Sequence, residues 1–164
     1  MLRHFLAALA YRTQKALRGA PVGFGKFRAG HDVRTPAELV RHMTSVLGYA
    51  RTYFIGGRYS AEPLPDLDAE ISRLHEMIAD LATHLERGDE LRGIKPEQLL
   101  QGPFSDAMTH VGQLALLRRL AGSPVPPENF IYADIREGRF GPDQPEPKQP
   151  DTVWPEAPPG WRPP

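Results

Sequence analysis

Asp106 and His110 are the two residues whose types and spacing most directly suggest chemistry. On an α-helix, side chains four residues apart project from the same face, one turn above the other, so both can bind a single ion. Far upstream, His42 lies near Leu39 and Met43, on the apolar face of a second predicted helix. Two histidines and one carboxylate that face each other between helices would form a metal site with coordination positions left open for water or substrate.

Each of these residues also has an explanation that needs no metal. A buried His42 imidazole can be satisfied by a backbone carbonyl or a carboxylate. Asp106 falls in the first turn of its predicted helix, where a carboxylate interacts favourably with the helix dipole and the free backbone amides. The pair of Asp106 and His110 is also compatible with an ordinary surface ion pair. The residues alone therefore leave both interpretations open.

Four long amphipathic helices are predicted to position these residues. Apolar residues at helical spacing indicate helices over residues 3–18, 36–54, 66–87 and 102–121. The second helix has a capping box, because Thr35 is followed three residues later by Glu38. The third helix is expected to begin at Asp66 or Asp68 and to end at Gly88. No convincing strand is present, so the sequence predicts an all-α fold, a four-helix bundle.

The C-terminal part of the chain has a different composition. A short extra helix is predicted from Pro127 through Arg136, which closes a helical domain over residues 1–137. Nine of the 18 prolines lie in residues 138–164, so this tail cannot be helical and is predicted to be extended. Its two tryptophans, Trp154 and Trp161, are expected to anchor at least part of the tail on the helices or on a neighbouring subunit.

Composition excludes several classes of function. Lysine plus arginine equals aspartate plus glutamate, 20 of each, so no global positive charge favours nucleic acid or an anionic membrane. The chain has no cysteine, which excludes disulfides, thiolate metal sites and a cysteine nucleophile. No apolar run approaches the ~20 residues that span a bilayer. The short apolar N-terminus lacks a clean cleavage site, so we expect a cytoplasmic protein without a removed signal peptide.

The segment from His110 to Gly122 resembles a known pattern. His-Val-Gly-Gln-Leu, followed by Leu-Leu-Arg-Arg-Leu-Ala-Gly, is similar to the last bundle helix of the DinB-like superfamily of metal-dependent enzymes. The usual pattern in that family is His, three residues, and His-Arg-Gly-Gln-Leu, followed by leucines, an arginine and a glycine. The segment Thr35 to His42 resembles the family's second-helix ligand segment. The similarity extends over residues 1–137.

The resemblance implies a four-helix bundle that holds a divalent ion through three side chains. His42 and His110 fall on two histidine-ligand positions, whereas Asp106 replaces the third histidine and Val111 replaces the family's arginine. Aspartate ligates zinc, nickel, iron and manganese, of which zinc or nickel is expected here. Its negative charge partly cancels the field of the cation, so bound water should be less acidic than in a three-histidine site.

The resemblance also implies a class of reaction. Characterised members are often transferases or isomerases that use a low-molecular-weight thiol, and hydrolysis is the alternative chemistry at the same site. Gln113 lies on the face of Asp106, either as a contact to the metal site or substrate, or as a polar boundary residue. We expect a small-molecule substrate and a homodimer. The alternative is a non-catalytic helical bundle that acts by dimerising or through its proline- and tryptophan-containing tail.

Overall fold

The structure is a computed structural model that describes residues 1–155, 157, 159 and 160. Its helices are α1 Leu2–Leu17, α2 Pro36–Ile55, α3 Leu67–Arg87, the single turn α4 Pro96–Leu99, and α5 Ser105–Leu120. The described residues contain no β-strand, and a single isolated bridge joins Glu128 to Pro150. The prediction of an all-α protein with four long helices is confirmed.

The four long helices pack around a common core. Helices α1 and α2 each pack against both α3 and α5. Burial of their apolar faces removes large aliphatic and aromatic side chains from water, which is the main stabilising contribution. The most completely buried of these side chains include Leu6, Leu9, Tyr11, Met43, Leu47, Leu74, Ile78, Leu81, Leu99, Phe104 and Leu114.

Helix α2 begins as the sequence predicts. The Thr35 hydroxyl accepts a hydrogen bond from the Glu38 N–H at 3.3 Å, and the Glu38 carboxylate accepts one from the Thr35 N–H at 2.8 Å. This reciprocal pair satisfies two backbone amides that have no partner within the helix. Leu39 and Met43 are buried on the inner face, and His42 lies beside them, half-buried. The capping box therefore sets the register that turns His42 toward α5.

Helix α3 also has the predicted ends. The Asp66 carboxylate accepts a hydrogen bond from the Ala69 N–H at 2.9 Å, so Asp66, rather than Asp68, is the N-cap. Gly88 ends the helix with a left-handed backbone at φ +69°, a conformation that glycine adopts without a steric penalty.

Helix α5 begins at a later residue than the sequence predicts, and one of its leucines faces solvent. It begins at Ser105 rather than at residue 102, because a π-helical turn over Leu100–Phe104 precedes it. Leu120, near the end of the helix, is 57% exposed although it is apolar. The buried face runs along α5 through His110 and Leu114 to Arg118, which rotates Leu120 toward solvent.

The predicted helix over residues 127–136 is wrong; only a short 3-10 turn, Phe130–Tyr132, forms there. The backbone at its beginning pairs with the tail instead. The Asn129 N–H donates to the Gln149 carbonyl, and the Asp151 N–H donates to the Pro127 carbonyl. The Pro127 carbonyl, which would accept the first hydrogen bond of a helix that begins there, is therefore already engaged by the tail.

The tail lies partly against the helices. Trp154 is buried, with 8% of its surface exposed, as the prediction of an anchoring tryptophan requires. Trp161 lies outside the described residues. None of the helices in the described part of the chain combines the length and the apolar character needed to cross a membrane.

Candidate metal centre

Helices α2 and α5 bring His42 and His110 together. The centroids of their imidazole rings are 4.8 Å apart, and the ring planes meet at 73°. This edge-to-face arrangement places the nitrogen atoms of both rings close enough to share one small ligand. The two histidines that the sequence predicted as ligands are therefore neighbours in the fold.

Asp106 completes the group from one turn earlier on α5. Its Oδ1 atom lies 3.4 Å from the Nε2 atom of His110. Zinc ligands at about 2.0–2.2 Å in tetrahedral geometry lie roughly 3.3–3.6 Å from one another, so this separation suits a shared ion. One ligand atom from each of His42, Asp106 and His110 lies within 4.8 Å of the other two. The structure thus brings all three sequence-predicted metal ligands together.

The His110 ring has one satisfied nitrogen and one that lacks a partner. Its Nδ1 atom lies 2.9 Å from the Oε1 atom of Gln113, so the Nδ1–H donates to the amide oxygen. Its Nε2 atom is buried and makes no hydrogen bond, because the contact with Asp106 lacks hydrogen-bond geometry. A hydrogen bond at one ring nitrogen fixes the tautomer and leaves the other lone pair available for a metal. The donor set and the unpartnered Nε2 atom fit a divalent ion.

The environment of His42 favours the neutral imidazole that a metal requires. Burial is the largest influence and lowers the pKa of His42 below its ordinary value of 6.5. The positive charge of Arg34 and the neighbouring His110 lower this pKa further, whereas the carboxylate of Asp106 opposes them. His42 is therefore neutral at pH 7, with a lone pair that can bind a cation.

Solvent reaches the site from the Asp106 side. The Asp106 side chain is 51% exposed, whereas the His110 side chain is only 9% exposed. The carboxylate therefore retains much of its hydration, and the imidazole of His110 is shielded behind it. An ion held here would have protein on one side and an open approach on the other.

The structure also has a basic pocket next to His42, which was not predicted from the sequence. Arg28, Arg34 and Arg41 line a cavity of about 430 Å³ that also includes His42. Arg28 and Arg34 precede α2, in a segment without a periodic pattern from which their position could be predicted. Arg41 is adjacent to His42 in the sequence, so it was the only one of the three arginines whose proximity to His42 the sequence indicated.

The other histidines do not join this group. His75 is buried on α3, and its Nδ1 atom lies 2.7 Å from the Phe140 carbonyl oxygen. His84 stacks on Phe54 and pairs with Asp89. His4 and His31 are exposed.

Comparisons with known proteins do not add to this description. No protein-family model matches the chain, and no match was found among curated proteins or solved structures.

Proposed function

We propose that this chain is a metal-dependent enzyme built on a DinB-like four-helix bundle, with a divalent ion held by His42, Asp106 and His110. The observation that carries the proposal is the buried Nε2 atom of His110, which makes no hydrogen bond and lies beside the other two ligands. An unpaired polar atom costs free energy when it is buried, and a bound cation removes that cost.

The arrangement of the helices supports the bundle. Each long helix packs against two others, α1 and α2 both contacting α3 and α5, so consecutive helices α1 and α2 lie across the core from each other. This order requires long connections, and residues 18–35 and 88–95 provide them. Bundles of this kind build metal sites from side chains on facing helices, as α2 and α5 do here.

The donor set is compatible with several divalent metals. Two imidazoles and one carboxylate can bind zinc, nickel, iron or manganese, and the proposal here is zinc or nickel, with iron and manganese as alternatives. A cation at this position would supply Lewis-acid chemistry, which lowers the pKa of a bound oxygen or sulfur nucleophile. Because the chain has no cysteine, a sulfur nucleophile would come from a low-molecular-weight thiol. The class of reaction proposed is thiol transfer or isomerisation, with hydrolysis as the alternative.

The protein residues have distinct parts in this chemistry. Gln113 orients the His110 ring through its hydrogen bond to Nδ1. Asp106 contributes a negative charge on the solvent side, which reduces the net charge that an incoming nucleophile meets. His42, Asp106 and His110 would hold the ion through three ligand atoms, and the exposed side of the site would remain open to substrate.

Cobalt substitution tests this proposal. Untagged protein loaded with Co²⁺ should show the visible absorption of a low-coordinate site, and a small thiol should add a sulfur-to-cobalt charge-transfer band. His110→Ala should lose both signals, whereas His4→Ala, which changes an exposed histidine outside the site, should keep both. A cobalt spectrum no different from that of the free aqueous ion in wild-type protein would contradict the metal site. A normal cobalt spectrum that does not respond to thiols would exclude the thiol chemistry.

A further inference from the structure

The basic pocket adjoins the candidate metal centre on the side of α2. Its volume is about 430 Å³, within the range of small-molecule sites. Arg28 and Arg34 line it from the segment before α2, and Arg41 and Ser45 line it from α2 itself. His42 belongs to both the pocket and the metal centre, so a molecule in the pocket would be next to a metal ligand.

The three arginines of the pocket lack the kind of partners that Arg18 and Arg73 have. Arg18 and Arg73 each bind carboxylates and backbone carbonyls. By contrast, Arg28, Arg34 and Arg41 make no hydrogen bond or ion pair with any residue that the structure describes. Three arginines without a hydrogen-bonded or ion-paired partner among the described residues therefore line one concave surface.

The carboxylates of the pocket offset only part of the positive charge of these arginines, and Arg28 and Arg41 attract the Glu38 carboxylate without forming an ion pair with it. Asp32 and Glu38 are the two acidic residues that line it, so the pocket has one net positive charge. Glu38 is committed to the capping box, because one of its oxygen atoms accepts the Thr35 N–H at 2.8 Å. Asp32 forms no ion pair within 4.0 Å among the described residues. The guanidinium donors consequently remain available to a ligand.

The donors of the pocket are of the chemical types that bind oxyanions. A guanidinium presents a planar fork of N–H groups that matches the oxygens of a carboxylate or a phosphate. The hydroxyl oxygen of Ser45 accepts the Ala61 N–H at 3.0 Å, which leaves its O–H free to donate. A small acid with one or two oxyanion groups would meet donors on several sides.

We propose that this pocket binds an oxyanion group of the substrate, a carboxylate or a phosphate, and so holds the reacting part of that molecule beside the metal centre. The inference rests on the proposed function, which it extends by naming a class of substrate. Anchoring the charged end of a substrate fixes the distance from the pocket to the ion, and orientation of this kind lowers the activation barrier.

Calorimetric titration tests the inference. The probes are inorganic phosphate and succinate, with uncharged succinamide as the control ligand, all at one ionic strength. Zinc-loaded wild-type protein should bind phosphate or succinate saturably and should not bind succinamide. Arg34→Gln and Arg41→Gln should each weaken that binding about tenfold, whereas Arg87→Gln, an exposed arginine on α3, should not. The probe that binds more tightly identifies the oxyanion.

The outcomes separate this inference from the metal site. Lack of binding by both anions, or equal binding by wild-type, Arg34→Gln and Arg41→Gln proteins, would overturn the pocket. The arginine variants should retain full zinc content and the cobalt spectrum, because neither residue supplies a ligand atom. If the protein binds no zinc but shows arginine-dependent anion binding, the pocket stands and the proposed metal centre falls.

Discussion

His110 determines what the candidate site can do, because its two ring nitrogens have different roles. The Nδ1–H group donates a hydrogen bond to the Gln113 amide oxygen, and Nε2 makes no hydrogen bond and lies beside Asp106 and His42. The sequence could predict this set of residues, since the spacing of Asp106 and His110 and the position of His42 on a capped helix are local features. It could not predict the arginines before α2, because only the folded chain places that segment next to His42.

Asp106 is the proposed ligand whose identity departs from the DinB-like pattern, and its substitution tests whether it binds metal at all. Asp106→Asn should weaken metal affinity by tenfold or more, because a neutral amide is a poorer ligand than a carboxylate. Asp106→His should retain the metal and make a bound water or thiol more acidic. Affinities are measured by competition with a chelator of known strength. Equal affinity of Asp106→Asn and wild type would show that Asp106 only stabilises the first turn of α5.

His75 should give the protein a specific pH dependence. Burial lowers the pKa of His75 in the folded state below its ordinary value of 6.5, and the hydrogen bond to the Phe140 carbonyl only partly opposes this effect. The unfolded chain therefore binds the proton more readily, so the stability that neutral His75 contributes is complete above about pH 6.5. That stability is lost as the pH falls through the lowered folded-state pKa.

Urea unfolding at pH 7, 6 and 5, with a chelator present to remove metal effects, measures this dependence. Wild-type protein should lose more stability between pH 7 and pH 5 than His75→Asn, whose amide can still donate to the Phe140 carbonyl. His42 also has a lowered pKa, but it is present in both proteins and cancels in the difference. Parallel pH profiles would contradict the assignment of a neutral, buried His75.

At the scale of elements, the ends of the helices were more predictable than their contacts. The caps at Thr35 and Asp66 depend on nearby residues and are confirmed. The end of α1 depends instead on Arg118, far away on α5. Its guanidinium donates to the carbonyls of Ala16, Arg18 and Gly19, and to the carbonyl and hydroxyl of Ser123. No local sequence pattern predicts a contact between residues so far apart in the chain.

Arg118 should accordingly be a major contributor to stability. Arg118→Met removes five hydrogen bonds and leaves carbonyl groups without partners, so we expect a loss of about 2–4 kcal/mol in the free energy of unfolding. Arg87→Met, at an exposed position on α3, is the matched control and should change stability by less than about 0.5 kcal/mol. Chemical denaturation measures both. Similar stabilities for the two variants would refute a structural role for Arg118.

At the scale of the whole molecule, the tail is attached to the helices through main-chain carbonyls as well as through side chains. The Arg18 guanidinium donates to the Gln144 carbonyl at 2.6 Å and pairs with Glu146 at 2.8 Å. The Phe140 carbonyl oxygen lies 2.7 Å from the Nδ1 atom of His75, and Trp154 is buried. Proline content predicted an extended tail, but main-chain carbonyls have no sequence signature, so the surface that the tail covers could not be predicted.

Truncation after Gly138 should therefore destabilise the protein. Loss of one buried indole and of the charged hydrogen bonds to Arg18 should cost about 3 kcal/mol and lower the Tm by roughly 5–10 °C. Trp154→Ala in the full chain should give part of this effect, whereas Val153→Ala, an exposed neighbour, should give almost none. Calorimetry compares the four proteins. An unchanged Tm after truncation would mean that the tail contributes nothing to the fold and is available to another partner.

Anomalous X-ray scattering at the absorption edge of the bound metal tests the central claim most directly. Crystals of untagged protein should show one peak about 2.0–2.2 Å from an imidazole nitrogen of His42, an imidazole nitrogen of His110 and a carboxylate oxygen of Asp106. Crystals of His110→Ala should lose that peak and keep the four long helices, because the core consists mainly of other side chains. A peak elsewhere, or no peak at this position in protein supplied with excess zinc, would contradict the account.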